Sequence, residues 1–190
     1  MQDRPLESEK MTIDEFLAFT DQRPEGETWE LIDGVAVMSP SPTEWHQTIC
    51  KNILYILEHH KRGNNAAWSP MPGVGTRVPI SPKSLPRPDV FVKDAAPSNA
   101  HVTSDALIIF EVLSRSNSKK DQAWRKRVYG SVPNCQHYVT VSMKRAEVVR
   151  HDRSGGWKGE PIVGLKEALS LPAIDLDIPL GEIYRWSPIK

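Results

Sequence analysis

One α/β domain built on a mixed sheet is what this sequence predicts, and three observations carry the prediction. Residues 107–110, Leu-Ile-Ile-Phe, are an unbroken apolar run of the kind covered on both faces of a sheet. Over residues 44–61, Ile49, Ile53, Ile56 and Leu57 recur at helical spacing. Strand-like and helix-like stretches then mix along the chain as hairpin, helix, strands, helix, strand, the order of a sheet layered with helices.

The elements follow in order. Residues 1–10 are polar and read as a flexible tail, leaving 11–190 as a single domain. Thr12 to Glu15 has the Thr-x-x-Glu capping-box pattern, so a short helix is expected over 13–19. Asp33-Gly34 between two apolar runs predicts a hairpin over 29–38, with Glu30 inside its first strand. Ser41 or Thr43 can cap the long helix at 44–61, and Gly63-Asn64-Asn65 closes it. Strands are expected at 66–69, 74–80, 88–93 and 106–113. Asn117 or Ser118 caps a second long helix at 119–129. Strands follow at 138–141 and 146–149, joined by a polar turn, and the remainder reads as edge strands and a tail.

Bulk properties exclude several classes. At 190 residues the chain can bury a sizeable core. Lys plus Arg is 24 and Asp plus Glu is 24, so net charge does not advertise a nucleic-acid partner, and any such site must come from local charge segregation. No apolar run approaches the ~20 residues of a membrane span, and the N-terminus lacks the apolar stretch of a secretory signal. Cys50 and Cys135 lie far apart without metal-site spacing, so they read as small buried hydrophobes in a reducing, cytoplasmic setting. Trp29, Trp45 and Trp124 read as core; His46 reads as packing at a helix start, with an orienting role near a site as the alternative.

Chemistry concentrates where polarity interrupts apolar pattern. Asp89 opens one apolar strand and Glu111 breaks the next. A buried carboxylate is costly unless paired or bound to a metal. Two on neighbouring strands can hold a hard divalent cation through oxygen; the competing reading makes Asp89 a turn cap and gives Glu111 a basic partner. From 115 to 127 lie Arg115, Lys119, Lys120, Arg125, Lys126 and Arg127 against one acid, Asp121. Such a run is either a solvated helix face or a phosphate-contacting edge beside the acids.

Five motifs occur in register: Glu-Leu-Ile-Asp-Gly at 30–34, Ser-Pro-Ser-Pro-x-x-x-His at 39–46, Arg-Pro-Asp-Val at 87–90, Glu-Val-Leu-Ser at 111–114, and Asp with Tyr eight residues on, at 121 and 129. In that order the chain resembles the Uma-type restriction endonuclease family, a branch of the PD-(D/E)XK nuclease superfamily, over roughly residues 11–185. The resemblance implies a restriction-endonuclease-like core, Mg2+ (or Mn2+) as cofactor, hydrolysis of DNA phosphodiester bonds, and a homodimer. It implies Asp89 and Glu111 as metal ligands, with Glu30 turned towards the same site. The superfamily lysine two residues after the second acid is Leu113 in this chain; in this branch a lysine of the following helix takes over, at the position of Arg125, with Lys126 adjacent. Arginine is not deprotonated, so it would stabilise charge without acting as a base. Residues 125 and 129 share a helix face, which aims Arg125 at the acids and Lys126 at the flank. Lys119, Lys120 and Arg127 are the expected phosphate contacts. The Leu113 and Arg125 departures also admit a non-catalytic reading, a nuclease-fold module for nucleic-acid binding or oligomeric interaction.

Overall fold

The computed structural model describes residues 10–114 and 117–189; the expected tail over 1–9 and Arg115 of the basic stretch lie outside the described residues. Among these, α1 (Ile13–Thr20) precedes the hairpin β1 (Thr28–Ile32) and β2 (Val35–Ser39), and α2 (Glu44–Asn64) follows. Next come β3 (Ser69–Pro72), β4 (Gly75–Thr76), β5 (Val90–Lys93), β6 (Val102–Thr103), β7 (Ala106–Leu113) and α3 (Lys119–Gly130). The chain ends with β8 (His137–Ser142), β9 (Glu147–Asp152), β10 (Gly159–Val163), β11 (Ala168–Leu171), β12 (Leu176–Pro179) and α4 (Leu180–Ile183).

The central sheet has six strands in the order β10-β9-β8-β7-β5-β3. Only β7 and β8 run parallel among its pairs, and α3 is the connection between them, as a parallel crossover requires. This is the mixed α+β architecture expected from the sequence. β7 is buried over nearly its whole length because both faces are covered. On one face Val90, Val92, Ile108, Phe110 and Val112 pack with Ile49, Ile53 and Leu57 of α2 and with the C-terminal segment. On the other, Phe91, Ile109 and Tyr138 pack with Val128 and Tyr129 of α3. Each such fully buried aliphatic or aromatic side chain contributes about 1.5–3 kcal/mol.

Local signals set the helix ends. Thr12 and Glu15 form the reciprocal capping box of α1, Thr43 accepts the His46 N–H to start α2, and Ser118 accepts the Asp121 N–H to start α3. α2 runs through Gly63 and stops at Asn65, which takes the left-handed conformation at φ 48°. A third cluster, Ile13, Phe16, Leu31 and Leu85, fastens the hairpin to α1 and to the segment before β5. Leu31 and Leu85 exchange backbone hydrogen bonds of 3.4 and 2.8 Å there. That tether delivers Glu30 to the sheet.

Four expectations are corrected. The strand expected at 66–69 lies at Ser69–Pro72, where Pro70 and Pro72 are tolerated because β3 is an edge strand. Of 74–80 only Gly75–Thr76 is strand: Pro79 has no N–H to pair, and β4 finds just two partners on β6. Trp45 is not core; it is 46% exposed on the first turn of α2. The expected C-terminal tail is instead packed structure. β10 is indeed a sheet edge, but β11 and β12 form a separate hairpin, and Leu180, Ile183 and Tyr184 enter the α2-side core.

Candidate active site

Glu111 shares the alternation of Ile109, so it points from β7 towards α3. β5 and β7 are antiparallel with Val90 opposite Phe110, so Asp89, just before β5, lies beside the Glu111–Val112 stretch of β7. Asp89 is further fixed by the Val112 N–H, which donates to Oδ2 at 2.7 Å. Its backbone is held from behind: the Gly73 N–H donates to the Asp89 carbonyl at 3.1 Å, and a Cβ on Gly73 would lie 1.6 Å from the Pro88 carbonyl oxygen. Glycine is required at 73 because the backbone carrying Pro88-Asp89 passes that close.

Arg125 is the hub of the site. It is buried on α3, and all three guanidinium nitrogens are engaged by protein groups. Nη2 donates to Glu30 Oε2 at 2.7 Å, and Nη1 donates to Glu30 Oε1 at 3.1 Å and Glu111 Oε1 at 3.0 Å. Nε lies 3.3 Å from Asp121 Oδ1, one helical turn back. Glu30 also accepts the Arg87 N–H at 2.6 Å, which joins the hairpin, the Pro-Asp segment and α3 in one network. Tyr129, one turn further on, donates its hydroxyl to Glu111 Oε1 at 2.9 Å. Asp121, Arg125 and Tyr129 thus line one face of α3 at four-residue spacing.

Electrostatics follow from this crowding. Burial pushes the Glu111 carboxyl up to about 8; Asp89 and Glu30 add to that, while Arg125 and Tyr129 oppose it. Burial works against the Arg125 charge, but Glu111 and Glu30 more than offset it and hold the guanidinium above its ordinary value. Because the Glu111 value is raised, its contribution to stability is full below the unfolded value near 4.5 and is lost as pH rises through about 8. In metal-free buffer, Glu111→Gln should therefore gain several degrees in melting temperature over the wild type between pH 6 and pH 9. Parallel thermal melts check this; a gap that stays constant with pH contradicts it.

Two further residues stand at this site: His46, for which the sequence left an orienting role open beside packing, and Cys50, read as a small buried hydrophobe. His46, on the first turn of α2, brings Nε2 to 3.4 Å from Asp89 Oδ2. Burial pulls this imidazole down, but the hydrogen bond and charge of Asp89 outweigh it and leave His46 above its ordinary value. Cys50, one turn along, lies with Sγ 3.6 Å from His46 Nδ1. Burial, with Asp89 and Glu111 nearby, pushes its thiol well up. The four-residue spacing of His46 and Cys50 was the available signal. That spacing has meaning only once a Pro-Asp strand is known to end beside it.

The basic residues divide. Lys119, Lys120 and Arg127 are exposed on α3. Lys126 is half-buried on the His151 side; that imidazole is held below its ordinary value first by burial, with the Lys126 charge contributing. Lys119 and Lys120 occupy the first turn of α3, where the helix dipole disfavours cations.

A mixed six-stranded sheet flanked by helices is the architecture of a nuclease-like fold. A solved structure described as "a putative nuclease belonging to DUF820" from Anabaena variabilis superposes with a TM-score of 0.74 over 93% of this chain and 98% of that one, at 14% identity. The chain belongs to the Uma2 family, described as "Putative restriction endonuclease", whose model matches residues 13–181. No curated protein matches. The family supports a nuclease-type function, and the structural likeness shows the fold. No helix among the described residues is long and apolar enough to cross a membrane.

Proposed function

We propose that this chain is a divalent-metal-dependent endonuclease that hydrolyses DNA phosphodiester bonds. What supports the reading is the nearness of two carboxylates from adjoining strands: the Val112 N–H holds Asp89 beside β7, and the Asp89 charge helps to push up the Glu111 carboxyl. Both are hard oxygen donors, and a dication held by Asp89 and Glu111 would offset the burial that otherwise keeps the Glu111 carboxyl up, favouring its carboxylate form. Mg2+ (or Mn2+) bound there would supply an activated water and neutralise charge on the scissile phosphate.

The chain's own residues divide the remaining work. Val112 N–H and the Gly73 contact fix Asp89, and Tyr129 with Arg125 fixes Glu111. Arg125 offsets the buried charge of Glu30 and Glu111 and stands as the cation nearest the reacting phosphate; Lys126 lies on its flank. Lys119, Lys120 and Arg127 contact backbone phosphates, a role consistent with two lysines kept against the helix dipole. One observation favours a second reading, a nuclease-fold binding module without cleavage: the Arg125 guanidinium is saturated by protein carboxylates.

Cleavage of single- and double-stranded DNA with Mg2+ or Mn2+ separates the two. Metal-dependent nicking that disappears with chelator supports the enzyme; DNA binding without nicking under every metal supports the module. In either case, neutralising Lys119, Lys120 and Arg127 to glutamine should flatten the dependence of log affinity on log salt by roughly two to three units, about 0.9 per lost phosphate contact on duplex. A slope identical to that of the wild type would remove α3 from the interface.

A further inference from the structure

We propose that His46, Cys50 and Asp89 form a three-ligand site for a zinc-class divalent ion, and that an ion bound there withdraws Asp89 from the Asp89–Glu111 position. The inhibition rests on the nuclease reading above; the ion site does not.

The geometry comes from two elements. His46 and Cys50 are one turn apart on α2, a spacing that sets two side chains on one helix face as a chelating pair. Asp89 is brought to them by the turn into β5. The ligand atoms of the three residues all lie within 4.8 Å of one another. The closest cross-element approach, His46 Nε2 to Asp89 Oδ2, is 3.4 Å. A tetrahedral zinc centre spaces its nitrogen and oxygen ligands about 3.3–3.5 Å apart, so this edge is already of the right length. Cys50 Sγ completes the group from the same helix face, 3.6 Å from the other ring nitrogen of His46, Nδ1, so an ion on the Nε2 side needs the Cys50 side chain to turn towards Asp89. The Val112 N–H on Asp89 is the kind of supporting hydrogen bond that orients a ligand carboxylate.

The donor set selects the ion. One sulfur, one imidazole nitrogen and one carboxylate oxygen suit borderline and soft ions such as Zn2+ and Co2+; magnesium prefers oxygen throughout. Three protein ligands also leave a position open to water. Cys50 binds as the thiolate, and its proton leaves to solvent. Asp89 is the residue common to both positions, so an ion held by the trio competes with magnesium for it.

Cobalt(II) titration of the purified chain tests the site without any cleavage assay. The expected result is a near-ultraviolet thiolate-to-cobalt charge-transfer band, saturating at one ion per chain. The band should be absent in Cys50→Ser and retained in Cys135→Ser, whose thiol lies in the cluster on the opposite sheet face. His46→Ala should weaken cobalt binding at least tenfold. A wild type with no such band, or a band that persists in Cys50→Ser, overturns the site. For the inhibition, near-stoichiometric Zn2+ should suppress magnesium-supported cleavage of the wild type at least tenfold, and Cys50→Ser, measured against its own zinc-free rate, should lose that sensitivity. Equal zinc sensitivity in both overturns the competition. Absence of cleavage under any metal would tell against the nuclease reading, while the cobalt band still decides the ion site.

Discussion

Arg125→Met should destabilise the chain by about 3–5 kcal/mol, the cost of leaving the buried Glu30 charge without its cation and Glu111 without one of its hydrogen-bond donors. Glu30 and Glu111 are 5% exposed each, and both lose their only charged partner among the described ion pairs. For a chain of this size that corresponds to a fall in melting temperature of roughly 10 °C or more. Arg125→Lys should recover part of this. One ammonium restores the charge, but it cannot replace a planar fork that gives Glu30 two bonds while also reaching Glu111 and Asp121. The observed network gives Arg125→Lys a stability cost, so its cleavage rate must be taken per folded molecule. Glu30→Gln together with Glu111→Gln should relieve much of the loss in Arg125→Met, because the charges left unpaired are then gone. If Arg125→Met melts within a degree or two of the wild type at pH 7, the site is wet enough to solvate both acids, and the hub described here does not exist.

Much of this arrangement was legible from residues, and the rest was illegible for definite reasons. Asp89 and Glu111 stood out because a carboxylate inside an apolar strand needs an explanation, and strand adjacency followed from the intervening loop. The aim of Arg125 followed from its four-residue offset from Tyr129, since helix geometry is fixed by spacing. Long-range partners were not legible in that way. Glu30 reaches Arg125 only because the Leu31–Leu85 bridge swings the hairpin onto the sheet, and no local pattern encodes that bridge. His46 reads as a helix-start residue until the end of β5 is known to lie against α2. β3 was hidden by its own composition, because prolines argue against a strand unless its outer edge is known to be unpaired. Trp45 reads as core from the sequence, yet the α2 stripe that packs on the sheet runs through Ile49, Ile53 and Leu57 and leaves position 45 outside.

Asp89→Asn should abolish magnesium-dependent cleavage, by at least about a hundredfold, while leaving the fold as stable as the wild type or more so. The asparagine carbonyl can still accept the Val112 N–H, so the local frame is kept and only charge is removed. Fewer like charges then face Glu111, whose carboxyl Asp89 helps to push up; its titration should move down towards the ordinary range. His46 loses the partner that holds it above its ordinary value, so its imidazole should titrate lower, a shift that proton NMR can read directly. Losing a metal ligand removes several kcal/mol of transition-state stabilisation, and each ~1.4 kcal/mol is tenfold in rate. DNA affinity in metal-free buffer should instead hold or rise, since one negative charge is removed from beside the phosphate path. Cleavage lost, DNA binding kept and stability kept is a pattern that neither misfolding nor a damaged DNA surface would produce. Cleavage by Asp89→Asn at the wild-type rate would mean that the metal position lies elsewhere in the chain.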